Sequence, residues 1–412
     1  MKKQRRILMC LEQLNIGGVE TAVLTLCKGY IRAGHKVFVA AKKGLFSSEL
    51  KKMGVTCFNI EYDIVNHFVL EMHDELVNFC KENEITEVHF HQYPCVIYWL
   101  PVCMELNIPY LAYVHSIIPG TPQWFMKDFP VFKTALPMFF ENASKVICIA
   151  ESTKNEIESL FHIGESSYKI VPNSLDMNTF ENKDVSKELK KFGIVARMAE
   201  EKYLSITKGI DLFLQYAKDN KNCHLTIAGD GPYLEKVKDY CRESKNITFL
   251  GRISDVASFM KKIDVYIGLD RSILEAMASK KLAIISSYYG NINLVTSDNI
   301  ENASQANFSG NNLENDSSIL SKLSSLSMKE YKKIVESNYL FVNEKYSVDN
   351  NIYTDVINPV NFPNYEYVFC QTNMLLKQVD DLKKNANVNK KPSLFRRAYN
   401  KGKRIIKKIV RR

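Results

Sequence analysis

Along the first 180 residues, short apolar runs rich in β-branched and aromatic side chains alternate with stretches in which apolar positions recur every three to four residues. The runs RILMCL, KVFVAA, TCFNI, EVHFH, YLAYVH and KVICIA have the length and composition of strands covered on both faces. Between the first two, Val19 to Ala33 reads as a helix stopped by Gly34, a residue that tolerates the left-handed turn at a helix end. Strand, helix and strand repeated in this way predict parallel strands joined by crossover helices. The rhythm then restarts with FGIVAR, HLTIAG, ITFLG, DVYIG and LAIIS. The fold class is therefore α/β, with two units in tandem.

The polar, aperiodic stretch from about Asp176 to Lys190 links them. The expected organisation is an N-terminal domain over 1–180, a second over 181–345, a helical extension over 346–389 broken at NPVNFPN, and a tail over 390–412. Asn307 to Ser327 is rich in Asn and Ser and predicts loop and cap structure. No repeat of solenoid period is present.

A length of 412 residues exceeds what one core ordinarily supports, in line with two domains. With 46% hydrophobic and 25% charged residues the composition is that of an ordinary soluble globular protein. Ten cysteines are scattered with no C-x-x-C pair, which points to a reducing compartment and thiols used as small core residues. The basic N-terminus leads into an apolar run of only Ile7 to Leu11 before Glu12, too short for the core of a secretion signal. Cys95 to Met104, the longest uncharged apolar stretch, carries a proline and falls short of the roughly 20 residues of a membrane span. A cytoplasmic protein without transmembrane helices is expected.

Charge changes the picture at one end. The net charge is +9, yet thirteen Lys/Arg and no Asp/Glu follow from Lys383 onward, leaving 42 basic against 46 acidic residues elsewhere, a net of −4. The segment LFRRAYNKGKRIIKKIVRR, wound at about 100° per residue, gathers Leu394, Phe395, Ala398, Tyr399, Gly402, Ile405, Ile406, Ile409 and Val410 on one arc and nine Lys/Arg on the other. Such a helix suits an anionic membrane interface, at about 1 kcal/mol per engaged basic residue. A partner-docking helix and a nucleic-acid-binding tail are the competing readings. The one taken forward is peripheral attachment to the inner membrane face through 390–412, with no nucleic acid.

Several strand ends carry residues suited to a phosphorylated ligand. Gly17 and Gly18 follow the first strand and precede a helix, where backbone N–H groups can approach an anion, although a plain tight turn accounts for them equally well. In the second unit Arg197 ends a strand and Lys202 and Lys208 follow, the latter in KGID just ahead of an expected helix; two cations there suit a diphosphate. Gly229, in GDGP, and Gly251-Arg252, in FLGRI, each follow a strand and let backbone groups meet a base at close range. Arg271 and Ser272 stand at a helix start that favours phosphate, and Glu275, one turn on, suits a ribose diol. His89 and His91 share a strand face, but with no third ligand in sequence they read as packing.

Taken together, GGVE, VPNSLD, Arg197 then Lys-Gly, GDGP, FLGR and LEAMA occur in an order that resembles the family 4 retaining glycosyltransferases, from Ile7 to about Tyr353. The resemblance implies a GT-B fold of two facing Rossmann-like domains, with a nucleotide sugar, expected to be a UDP-sugar, held mainly by the second. It places Gly17 and Gly18 against the donor phosphates, Arg197 with Lys202 or Lys208 as the diphosphate clamp, Gly251-Arg252 beside the base and Glu275 on the ribose. His115, in YVHS, corresponds to the family's histidine near the donor sugar. Two positions depart from the pattern: Ile267 stands where many members have a glutamate, and Asp270 where a glycine is usual, which makes Asp270 a candidate for sugar contacts.

The implied reaction is transfer with retention to a glycan or lipid-linked acceptor in envelope or capsular polysaccharide synthesis. Fixed cations stabilise the leaving diphosphate, and the donor phosphate takes the acceptor's proton. No D-x-D motif is present, so neither a metal nor a cofactor beyond the nucleotide sugar is expected. A non-catalytic glycosyltransferase-like subunit and a GT-B epimerase or phosphorylase are the alternatives that the two departures keep open.

Overall fold

The computed structural model describes residues 4–15, 17–62, 69–115, 131–161, 163–164, 167–181, 188–355 and 357. Among them the chain forms two compact units: one runs to Pro172 and takes up the chain again at Ile352, and the other is Asn173–Asn351.

In the first unit seven strands are described: β1 (Arg6–Gln13), β2 (Lys36–Lys42), β3 (Thr56–Asn59), β4 (Glu87–Phe90), β5 (Tyr110–Val114), β6 (Lys145–Cys148) and β7 (Tyr168–Ile170). They pair in parallel in the order β3-β2-β1-β4-β5-β6-β7, with Ile7 opposite Val37 on one side and Glu87 on the other. The period of two divides each strand between two cores. Ile7, Met9 and Leu11 pack with Val23, Cys27 and Tyr30 of helix α1 (Gly18–Arg32), whereas Leu8 and Cys10 pack with Trp99, Val102 and Cys103 on the opposite side. Burial on both faces explains the continuous apolar runs. Gly34 has φ of +85°, the left-handed conformation expected just past a helix end.

The second unit holds β8 (Lys191–Val195), β9 (His224–Ala228), β10 (Ile247–Gly251), β11 (Val265–Gly268), β12 (Leu282–Ser286) and β13 (Ile292–Leu294). Their order is β10-β9-β8-β11-β12-β13, parallel except for the β12–β13 pair. Among its helices are α2 (Tyr203–Asp219), α3 (Arg271–Ala278) and α4 (Met328–Tyr346). The last starts in a reciprocal Ser327–Glu330 capping box, the cap structure expected at the end of the Asn/Ser-rich stretch.

The structure differs from the sequence expectation at several points. β7 and β13 are three residues each, too short to show a period. Lys208 was expected ahead of a helix, but α2 begins at Tyr203, because Ile206, Ile210 and Phe213 already form its buried stripe. Lys208 thus lies within the helix. Beyond Asn351 the chain returns to the first unit, where Tyr353 is buried beside Tyr30; its N–H donates to the Tyr30 hydroxyl at 3.1 Å and its carbonyl accepts from Arg5. Most of the expected helical extension and all of the basic tail lie outside the described residues. Among the described residues no helix is long and apolar enough to cross a membrane.

Candidate functional site

In a doubly wound sheet, ligands collect at the carboxyl ends of strands where the strand order reverses, since the crossover helices leave to opposite faces and open a crevice. That reversal falls between β8 and β11 in the second unit and between β1 and β4 in the first.

At the second unit's reversal a small depression is lined by Val195, Ala196, Lys202, Ser205, Gly268 and Ser272, among others. Hydrogen bonds exchanged between Ser205 and Ser286, each hydroxyl to the other's carbonyl, pin the first turn of α2 to the end of β12. This brings Lys202 to the edge, where its Nζ lies 3.6 Å from Asp270 Oδ2. Arg197 stands on the same strand end, exposed and paired with Glu201 at 2.5 Å. Lys208 is not among the lining residues; it is half exposed and 3.8 Å from Asp211 on its own helix. Arg197 does not line the depression either, but it shares Glu201 with Lys202, both cations lowering the proton affinity of that carboxyl.

Two glycines that follow β9 prove to be close backbone contacts, whereas a Cβ on Gly251 would meet open space. A Cβ on Gly229, at φ +139°, would sit 1.8 Å from the Ala196 carbonyl oxygen, and one on Gly231 would sit 2.5 Å from that of Met198. Gly229 N–H donates to Gly251 O at 2.8 Å, tying the two turns together, with Arg252 exposed beside them. These turns build the strand-end surface on which Arg197 stands.

Glu275 has a partner that the sequence reading did not assign. Arg271 Nε donates to its Oε1 at 3.1 Å, one helical turn apart, and Arg271 Nη1 donates to the Ser174 carbonyl at 3.0 Å. Burial pushes the Glu275 carboxyl up and the Arg271 guanidinium down, each opposed by the other's charge. Ser272 Oγ donates to Leu269 O at 2.7 Å, closing the turn into α3. Ile267, eight residues before Glu275, is 1% exposed within β11 and packs under α2, where a Cβ on Gly209 would lie 2.8 Å from its Cγ2. A glutamate at that position would point into the core.

Asp270 has φ +58° and ψ −141°, a conformation open to glycine that costs another residue about 1–3 kcal/mol. Its N–H donates to Phe308 O at 3.0 Å, which holds the turn. The carboxylate accepts from the Tyr288 hydroxyl at 2.8 Å, and burial raises its proton affinity against the pull of Lys202. Tyr288 was missed from sequence, since an aromatic in a polar turn carries no periodic signal.

The first unit's reversal is built differently. Gly17, extended at φ −165°, precedes α1, and a Cβ there would meet the Glu20 carboxylate at 2.2 Å. Glu20 is buried at the helix start, and burial, together with the neighbouring Glu12, raises its proton affinity. The sequence reading passed over it, although a glutamate in the first turn of a helix lacking a side-chain cap is a signal of this arrangement. At the ends of β4 and β5, His91 Nδ1 and His115 Nε2 share a hydrogen bond of 2.7 Å, and the His91 ring stacks on Tyr113 with centroids 4.5 Å apart. Burial and the two neighbouring histidines keep His91 neutral, well below its ordinary proton affinity. His89 pairs with Glu87 at 2.9 Å. Among the described residues no three His, Cys, Asp or Glu side chains converge as a metal-binding group.

Comparison with known proteins follows the same division. Residues 16–179 match the family described as Glycosyltransferase Family 4, and residues 178–312 match Glycosyl transferases group 1. An α-monoglucosyldiacylglycerol synthase of Streptococcus pneumoniae is 23% identical over an alignment covering 64% of this chain. The chain spans 66%, just under two thirds, of that relative's length. Among solved structures, a Rickettsia africae glycosyltransferase superposes with a TM-score of 0.62 at 15% identity, covering 84% of this chain and 95% of that one. Anabaena HepE, solved in complex with UDP-glucose, gives 0.60 at 14% identity, covering 84% and 97%. These structures share the GT-B fold, two α/β sheet domains of mainly parallel strands.

Proposed function

Because the chain belongs to the family 4 glycosyltransferases, we propose that it transfers a sugar, with retention, from a UDP-sugar to a glycan or lipid-linked acceptor. The observation that carries the donor reading is the meeting of Lys202 and the start of α3 in the depression at the strand-order reversal of the second unit, with Arg197 beside it through the Glu201 that both cations act on. A departing diphosphate gathers negative charge, and cations and helix N–H groups fixed beforehand stabilise it without reorganisation. Arg197 meets its oxygens in a fork and Lys202 adds a point charge. In the resting protein Glu201 and Asp270 occupy these two cations, so the diphosphate displaces carboxylates that are already in reach.

Glu275 then acts on the ribose through its second oxygen, its first being held by Arg271. Gly251 and Arg252 border the base. For His115 the support is the resemblance and its place at the end of β5, where His91 engages Nε2. The retained stereochemistry and the proton transfer to the donor phosphate rest on the family. So does activity without a divalent metal, which turnover undiminished in EDTA tests.

An acceptor at a membrane surface is favoured by the basic amphipathic segment of 390–412 and by the product named for the pneumococcal relative, a glycolipid. Such an acceptor fits a role in building the cell envelope. Release of UDP from a panel of UDP-sugars, with and without a lipid extract as acceptor, tests the activity; binding of donor with no turnover under either condition overturns it. Deleting Lys390 to Arg412 releases the protein from anionic vesicles, and unchanged co-sedimentation overturns the membrane assignment.

A further inference from the structure

Asp270 stands at the N-cap position of α3, yet its carboxylate makes no capping hydrogen bond. The usual structural reason for aspartate at a helix start is therefore missing. Its backbone adopts a conformation that glycine would take without strain, and the Phe308 carbonyl holds it there. Strain kept at one residue by its surroundings points to a use for the side chain. That side chain is turned to the carboxyl end of β12, where Tyr288 donates to Oδ2 at 2.8 Å, with Lys202 at 3.6 Å from the same oxygen and 6.0 Å from the Tyr288 ring.

A carboxylate beside a diphosphate clamp repels phosphate, so its ligand must be another part of the donor. The remaining part of a nucleotide sugar rich in hydroxyl donors is the sugar ring, and a carboxylate accepts from hydroxyls in charge-assisted bonds. Resting on the reading of this unit as the donor site, we propose that Asp270 accepts hydroxyls of the transferred sugar. Tyr288 is the positioning residue that aims it, and together they set which sugar is used. Ile267, buried beneath α2, leaves this role to a residue beyond the end of β11, and Asp270 is two positions past it.

The test uses the full-length chain and the variants Asp270→Gly, Asp270→Asn and Tyr288→Phe. UDP binding is measured by calorimetry, KM by UDP release from UDP-glucose and UDP-galactose, and Tm by thermal unfolding. The expected result is that Asp270→Gly raises Tm and, by freeing Lys202, leaves UDP bound as tightly as before or more so. At the same time it raises KM for the preferred epimer about tenfold or more and erodes the preference, the loss of a hydrogen bond to a charged group. Asp270→Asn and Tyr288→Phe shift KM and the epimer ratio the same way without the gain in Tm. An unchanged epimer ratio and KM in the variants, with UDP still bound, overturns the proposal, as does a fall in Tm for Asp270→Gly with kinetics intact. If the unaltered protein binds no UDP, the donor reading itself fails and the proposal falls with it.

Discussion

At the reversal of strand order in the second unit the chain gathers Arg197, Lys202 and a helix start; at the same topological place in the first it gathers Glu12, Glu20 and a hydrogen-bonded pair of histidines. Two sheets wound alike carry different groups at this place: cations paired with carboxylates in the second, carboxyls and imidazole rings in the first. The helix start of α1, which alone would attract an anion, is covered by its own Glu20, and Gly17 supplies the room. The helix start of α3 instead sends Arg271 back to Glu275, while Lys202 and Arg197 stand nearby, paired with Asp270 and Glu201. Topology makes a crevice in both cases. On the donor reading proposed above, the cations of the second meet the diphosphate, while the first offers carboxyl groups and imidazole rings.

The contrast can be broken most directly at the cations. Arg197→Ala or Lys202→Ala lowers the rate of UDP release about a hundredfold or more, whereas Lys208→Ala stays within about threefold, as for an exposed ion pair. Equal losses at Lys202 and Lys208 would undo the assignment of the clamp. Glu275→Ala strands a buried guanidinium and lowers stability to urea by about 3 kcal/mol, with Glu275→Gln losing about half of that. Glu20→Gln, by contrast, stays within about 1 kcal/mol, since its charge lacks a cation of this kind.

The smallest effect sharpens the first unit. His91 is held below its ordinary proton affinity, so below about pH 6.5 the unfolded chain binds the proton more readily than the folded one. Stability is therefore full above that pH and falls as pH is lowered. His91→Asn reduces the slope by up to about 1.4 kcal/mol per pH unit. A pH profile of unfolding unchanged by the substitution would show that His91 takes its proton without cost.

Much of this architecture can be read in the chain because strands buried on both faces leave unbroken apolar runs, and because glycines forced by close backbone contact, such as Gly229, mark strand ends. What stays hidden depends on partners distant in sequence. Tyr288 meets Asp270 across 18 positions, and His91 meets His115 across 24, with no local pattern to announce either bond. Glu275 hid for a different reason: its counter-ion is four residues away, but a charged pair at that spacing is ordinarily a solvated surface feature. Here both members are largely buried. Counting eight residues back from Glu275 also misleads, since Ile267 lies inside a strand that runs into α3 after two residues.

The return of the chain to the first unit at Ile352 bears on how the protein can be dissected. The polypeptide passes from one unit to the other near Pro172 and back again near Asn351, so a protease nick near Asn351 leaves the bulk of both halves on one covalent thread, whereas a nick near Pro172 leaves the first 172 residues joined to the rest only by non-covalent contacts such as that of Tyr353 with Tyr30. A fragment ending at Pro172 would lack Tyr353, exposing Tyr30 and depriving Arg5 of its carbonyl. Producing the first half alone therefore calls for residues 352–357 to be joined back on through a linker, while the second half can be expressed as one uninterrupted piece.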